Sequence, residues 1–157
     1  MMSVKVYLVQ HGEAKLESED PQRPLSNRGR GEVSKIARYA SNLGLEVTKI
    51  VHSGKLRAKQ TAEILAEHLH PAGSLEEIKG LSPGDPPESA RDFIENSWEP
   101  LMIVGHLPHL SKLLSILVIG NPETSLVQFR NGGIVTAEKV DGKWCVTWIL
   151  TPDIVKG

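Results

Sequence analysis

Val4-Lys5-Val6-Tyr7-Leu8-Val9, running into Gln10-His11-Gly12-Glu13-Ala14, is the stretch on which the fold turns. The first six residues are rich in β-branched and aromatic side chains and read as a strand, while Gly12 permits a sharp exit from it. A polar loop follows, with Glu17 to Asp20, Pro21 and Pro24. Ser26 then precedes apolar positions Val33, Ile36, Ala37 and Ala40, a helical spacing with Ser26 as its cap and Gly44 as its close. The strand, polar turn and helix then recur. Val47–Val51 ends at His52-Ser53-Gly54, and Leu56–Leu69 follows as a helix with Ala58, Ala62, Leu65, Ala66 and Leu69 near one face and Arg57 in its first turn. Leu101–Val104 is a continuous apolar run, as in a strand covered on both faces; it ends at Gly105-His106 and leads into a helix over Leu110–Val118.

Between these units, Leu75–Ile78 reads as a short strand, Pro83 to Pro87 as a loop and Glu88–Trp98 as a helix. The C-terminal part reads as strands over Leu126–Phe129, Ile134–Val140 and Trp144–Leu150, with turns at Asn131-Gly132-Gly133 and Asp141-Gly142, the latter a strong hairpin signal. Alternating strands and helices closed by a hairpin predict an α/β fold: a three-layer α/β/α sandwich whose sheet is mainly parallel with at least one antiparallel strand. A length of 157 residues suits a single domain spanning 1–157, and no internal repeat suggests a solenoid.

A net charge of −1 gives no overall field for nucleic acid or an anionic membrane, so neither is expected as a partner and any cationic site must be local. Met1 to Gln10 lacks the apolar region and cleavage site of a secretory leader, and Leu113–Ile119 is far shorter than the roughly 20 residues that span a bilayer. The one cysteine, Cys145, pairs with nothing in the chain; it suits a reducing, cytoplasmic setting and reads as a packing residue in a strand.

In a parallel sheet the strand ends that carry His11, His52-Ser53 and His106 share one rim, where helix N-termini present donors suited to anions. His11, Arg57 and His106 are therefore expected to converge. His106 and His109 stand three apart, as metal ligands often do, but Pro108 intervenes and no third ligand accompanies them, so neither metal nor cofactor is expected. His52, His68 and His70 have no comparable context and read as surface residues.

The blocks Gln10-His11-Gly12-Glu13-Ala14, Arg23-Pro24-Leu25-Ser26, Ser53 through Leu56-Arg57-Ala58-Lys59-Gln60-Thr61, and Gly105-His106-Leu107-Pro108 stand in order, each beside the appropriate element. Together they resemble the histidine phosphatase, or phosphoglycerate-mutase-like, superfamily over nearly the whole chain, and most nearly its short SixA-type branch of phosphohistidine phosphatases. The resemblance implies that His11 is the nucleophile, that Arg57 and His106 hold the transferred phosphoryl oxygens, that Arg23 assists from its loop, and that Gln10 and Ser53 belong to the phosphate-binding set. The chemistry is consistent: a neutral imidazole is a nucleophile near pH 7 without a helper base, and positioned cations and donors stabilise a phosphoryl group in transfer.

The chain departs from the family pattern at Gln10, where arginine is usual. Glutamine keeps N–H donors but lacks the cationic fork, a difference of about 1–2 kcal/mol per hydrogen bond. No acidic residue is an assured proton donor to the leaving group; Glu77 and Asp85 are positional candidates only. Phosphohistidine expels an imidazole, far less basic than an alkoxide, so both features favour it as substrate. The expected activity is hydrolysis of phosphohistidine on a signalling or phosphotransfer protein. The alternatives are a broader phosphomonoesterase acting on small phosphorylated substrates, and a weakly active or inactive phospho-ligand binding module.

Overall fold

The computed structural model describes residues 4–156. The ends of the expected 1–157 domain, including Met1 to Ser3 of the N-terminal reading, lie outside the described residues. Strands β1 (Val4–Gln10), β2 (Lys49–His52), β3 (Leu75–Glu77), β4 (Leu101–Gly105), β5 (Ile134–Val140) and β6 (Lys143–Leu150) form one six-stranded sheet in the order β3-β2-β4-β1-β5-β6. The first four neighbours run parallel, while β5 is antiparallel to β1 and to β6. Helices α1 (Asn27–Asn42) and α2 (Leu56–Leu69) cover one face, and α3 (Glu88–Glu95) and α4 (His109–Val118) cover the other.

Two apolar clusters explain the layering. Tyr7, Val9, Ile50, Met102 and Val104 pack with Val33, Ile36, Ala37 and Ala40 of α1 and Ala58, Ala62 and Leu65 of α2. Val6, Leu8, Val51 and Ile103 pack with Ala90 and Ile94 of α3 and Leu110, Leu113 and Leu114 of α4. Strand β4 lies between β2 and β1 and is buried along its whole length, which is why its sequence is uniformly apolar instead of alternating. Side chains such as Ile103 and Met102, with no exposure, each contribute about 1.5–3 kcal/mol through burial.

Local chemistry sets the ends of the elements. The Ser26 hydroxyl accepts from the Gly29 N–H at 3.0 Å and caps α1, and Gly44 leaves that helix at φ 73°. At Gly29 itself a Cβ would stand 2.1 Å from the Glu13 carbonyl oxygen, so only glycine lets the start of α1 press against the loop after β1. Asp141 and Gly142, at φ 51° and 79°, make the two-residue turn between β5 and β6.

Three expectations are corrected. Leu126–Phe129 forms no strand: buried Phe129 and partly buried Val127 plug the α3/α4 cluster from an irregular segment, so their apolarity reflects packing without pairing. Helix α3 stops at Glu95 with Asn96 as its C-cap, three residues before Trp98, which is 77% exposed. Cys145 lies in β6 as expected but faces solvent, because alternation turns Trp144 and Val146 inward on either side of it. A bulge follows: Ala137 pairs Val146 and Thr136 pairs Trp148. The extra residue, Thr147, sends Trp144 and Val146 to the α3/α4 cluster and Trp148 and Leu150 to the α1/α2 cluster, so one strand serves both layers.

Candidate active site

The C-terminal ends of β1, β4 and β2 lie side by side, with Gln10 opposite Gly105 and His52 opposite Val104. The His11 N–H continues the ladder to the Gly105 carbonyl at 3.0 Å, so His11 leaves the strand in a fixed place. The adjoining peptide groups are also held. The Gly12 N–H donates to Thr61 Oγ1 of α2 at 3.0 Å, Asn131 Nδ2 donates to the His11 carbonyl at 3.0 Å, and the Gly132 N–H donates to the Gln10 carbonyl at 2.8 Å. Thr61 in turn donates to the Arg57 carbonyl at 2.8 Å, tying the nucleophile loop to the first turn of α2.

His11 Nδ1 lies 2.7 Å from the Gly12 carbonyl oxygen. A carbonyl can only accept, so Nδ1 carries the ring proton and Nε2 keeps a bare lone pair. Burial pushes the His11 pKa down to about 4, Arg57 and Arg23 push the same way, and the Gly12 hydrogen bond opposes them. The ring is neutral at pH 7.

The His106 ring lies 5.0 Å from that of His11, centroid to centroid, with 52° between their planes. His106 is buried, and its Nε2 sits 2.6 Å from Ser53 Oγ, across from the end of β2. Its other nitrogen, Nδ1, is buried with no partner. Burial first, then the charges of His11, Arg57, Lys55 and His109, hold its pKa down to about 3. Arg57, second residue of α2, has a buried Nε with no partner, and its pKa is lowered by burial and then by Arg23. Arg23 stands in the left-handed region at φ 48°, with its Nε donating to the Lys15 carbonyl. Its loop is pinned to α2 where the Leu25 N–H donates to Gln60 Oε1 at 2.8 Å. Gln10 Oε1 is also buried without a partner.

His11, Arg57, His106, Ser53 and Gln10 thus stand on three adjacent strand ends and one helix start, with Arg23 close enough to shift both His11 and Arg57. The two acid candidates differ in what holds them. The Glu77 carboxylate lies over Gly54, 2.4–2.7 Å from where a Cβ there would stand, and Asp85 Oδ2 accepts from the Ser82 N–H of its own turn. Among the described residues neither hydrogen-bonds with His11, Arg57 or His106, and no group of three His, Cys, Asp or Glu is placed to hold a metal ion.

His52 is a correction: it is buried, and its Nδ1 accepts from the Gly54 N–H at 3.0 Å, shaping the turn that presents Ser53. His68 is half-buried against the Ile64 carbonyl and His70 is the exposed C-cap of α2. His109 is fully buried at the start of α4. The sequence reading gave no role to Thr61, Gln60 or Asn131, which hold the site's backbone. Gln60 and Thr61 follow Arg57 closely and Asn131 opens the Asn131-Gly132-Gly133 turn, but nothing in a sequence says where such side chains reach.

Residues 6–86 match the family model described as histidine phosphatase superfamily (branch 1). The chain belongs to the histidine phosphatase superfamily. An uncharacterised protein of Picosynechococcus is 31% identical over 141 residues, covering 84% of this chain and 83% of its own. The phosphohistidine phosphatase SixA of Escherichia coli is 23% identical over 154 residues, covering 95% of this chain and 94% of its own. A structure of the protein histidine phosphatase SixA complexed with tungstate superposes with a TM-score of 0.84 at 24% identity, covering 95% of this chain and 97% of that one. These likenesses support the short SixA-type branch of the family and a phosphatase activity, on a phosphoglycerate-mutase-like fold. Among the described residues, no helix is long and apolar enough to cross a membrane.

Proposed function

We propose that the protein hydrolyses phosphohistidine on a signalling or phosphotransfer protein, through a phosphohistidine formed transiently on His11. The single observation that carries this reading is the state of His11: its Nδ1 proton is committed to the Gly12 carbonyl, leaving Nε2 as a bare nucleophile beside two buried polar atoms without partners, Arg57 Nε and His106 Nδ1. Buried polar atoms are costly to leave unpaired, and a pair of them next to a nucleophile suits an anionic ligand. The relative solved with tungstate, a tetrahedral oxyanion like phosphate, supports the same reading.

In the first step His11 Nε2 attacks phosphorus and the bond to the substrate's imidazole nitrogen breaks. A substrate ring protonated at its other nitrogen leaves as neutral imidazole and needs no acid from the enzyme. Arg57, with His106 Nδ1 as a further donor, spreads the charge on the equatorial oxygens; Arg23 and Gln10 serve the same group from the rim. Water then attacks the phosphoryl group on His11, returning the lone pair to Nε2 and releasing inorganic phosphate. The residues invoked supply this chemistry without a metal ion. One domain carries the whole site, and a lone unpaired Cys145 supports a reducing, cytoplasmic setting.

The leaving imidazole of phosphohistidine needs no acid from the enzyme, whereas the alkoxides of phosphomonoesters do, and Asp85 is held by the Ser82 N–H of its own turn. A phosphohistidine protein offered to the wild type and to His11→Ala tests the reading: the wild type releases phosphate and the variant does not. Full activity in His11→Ala overturns it.

A further inference from the structure

Ser53 and His106 are joined across the site by a contact of 2.6 Å between Ser53 Oγ and His106 Nε2. A hydroxyl and a neutral imidazole make such a bond in two ways: Ser53 donates to a bare Nε2, or Nε2–H donates to Ser53. The first keeps all of Ser53's bonding within the protein. Ser53 Oγ already accepts the Lys55 N–H at 3.3 Å, at the turn into α2. With the hydroxyl hydrogen aimed at Nε2, the oxygen accepts one bond and donates one, and both groups are matched. With Nε2–H as donor, the oxygen accepts twice and the hydrogen of half-buried Ser53 turns to solvent, since no described residue accepts it.

The other nitrogen points the same way. His106 Nδ1 is buried without a partner, in a ring 5.0 Å from that of His11. A bare Nδ1 would offer a second lone pair to the space an anion must enter; an Nδ1–H offers a donor. We propose that Ser53 is a positioning residue that holds neutral His106 as its Nδ1–H tautomer, so that a hydrogen-bond donor faces the phosphoryl group before any proton is taken up. This rests on the reading that His106 serves the transferred phosphoryl oxygens, and it changes Ser53 from a phosphate ligand into the residue that sets what His106 presents. Burial reinforces the need for it, since a ring held well below its ordinary pKa is neutral at pH 7 and cannot rely on a second proton to become a donor there.

The test reads the tautomer directly. In wild-type protein carrying nitrogen-15 histidine, with no ligand and at pH 7, long-range proton–nitrogen correlation should place His106 Nδ1 among protonated and Nε2 among unprotonated ring nitrogens, assigned by their loss in His106→Gln. Ser53→Ala should mix the two tautomers and lower kcat about three- to tenfold, the loss expected for one neutral hydrogen bond, with KM moving less. Ser53→Thr, which keeps the hydroxyl, should restore both. An Nε2–H tautomer in the wild type overturns the proposal, as does a Ser53→Ala protein with wild-type tautomer and kcat. Because the wild-type spectrum needs no substrate, it can fail while His11 still forms a phosphoenzyme, which keeps the two readings separable.

Discussion

Acidification from pH 8 to pH 4 separates a buried, neutral His11 from an ordinary histidine. Burial, helped by Arg57 and Arg23, holds its pKa to about 4 in place of 6.5. At pH 5.5 an unshifted histidine is ~9% neutral and one at about 4 is ~97% neutral, a tenfold difference in competent nucleophile. The measurement is kcat/KM on a phosphohistidine peptide, which reports groups of the free enzyme, with the substrate's own ionisation measured by phosphorus NMR and divided out. The corrected profile should stay flat through pH 6.5 and fall only as pH approaches 4. The sign for stability is the same. Because the folded pKa lies below the unfolded one, the unfolded chain binds the extra proton first. Stability is then complete above pH 6.5 and is lost as pH falls towards 4, by about 3 kcal/mol for His11 alone. Urea unfolding between pH 8 and 5 should show a shallower pH dependence in His11→Gln than in the wild type. A corrected activity limb near pH 6.5, together with a His11 NMR titration centred there, refutes the reasoning.

Gln10→Arg restores a cationic fork beside the nucleophile and should speed hydrolysis of aryl and sugar phosphates roughly five- to thirtyfold; an intact fold with no gain counts against the reading of this position. Thr61→Val removes the acceptor of the Gly12 N–H at a site with no solvent exposure, which should cost about 1–3 kcal/mol, or roughly 2–10 °C in melting temperature, and lower kcat. Thr61→Ser should recover most of both, and a Thr61→Val protein with unchanged melting temperature and kcat removes Thr61 from the account.

The strands and helices were legible where periodicity and punctuation agreed. The helix over Leu56–Leu69 and the strand over Ile134–Val140 have the bounds their patterns predict, and Ser26, Gly44 and Asp141-Gly142 act as cap, close and turn. Leu126–Phe129 misled because an apolar run reports burial, and burial is also achieved by an irregular segment plugging a gap. Cys145 misled because which face of an edge strand is covered depends on the bulge at Thr147, which leaves no mark in composition. At the site, the strand ends brought His11 and His106 together as the alternation of strands and helices implied. The partners that fix their tautomers were hidden: the Gly12 carbonyl is backbone, Ser53 is 53 residues from His106 in sequence, and His52 looked like a surface histidine until the Gly54 turn folded over it.

The covalent step on His11 is the centre of the account, and rapid quenching reaches it most directly. Wild-type protein mixed with a substrate labelled in its phosphohistidine phosphate, and stopped within milliseconds, should carry acid-labile, base-stable label on His11. The His11→Ala protein should carry none. Rapid turnover with no label on the wild type, or equal label on the variant, contradicts the mechanism.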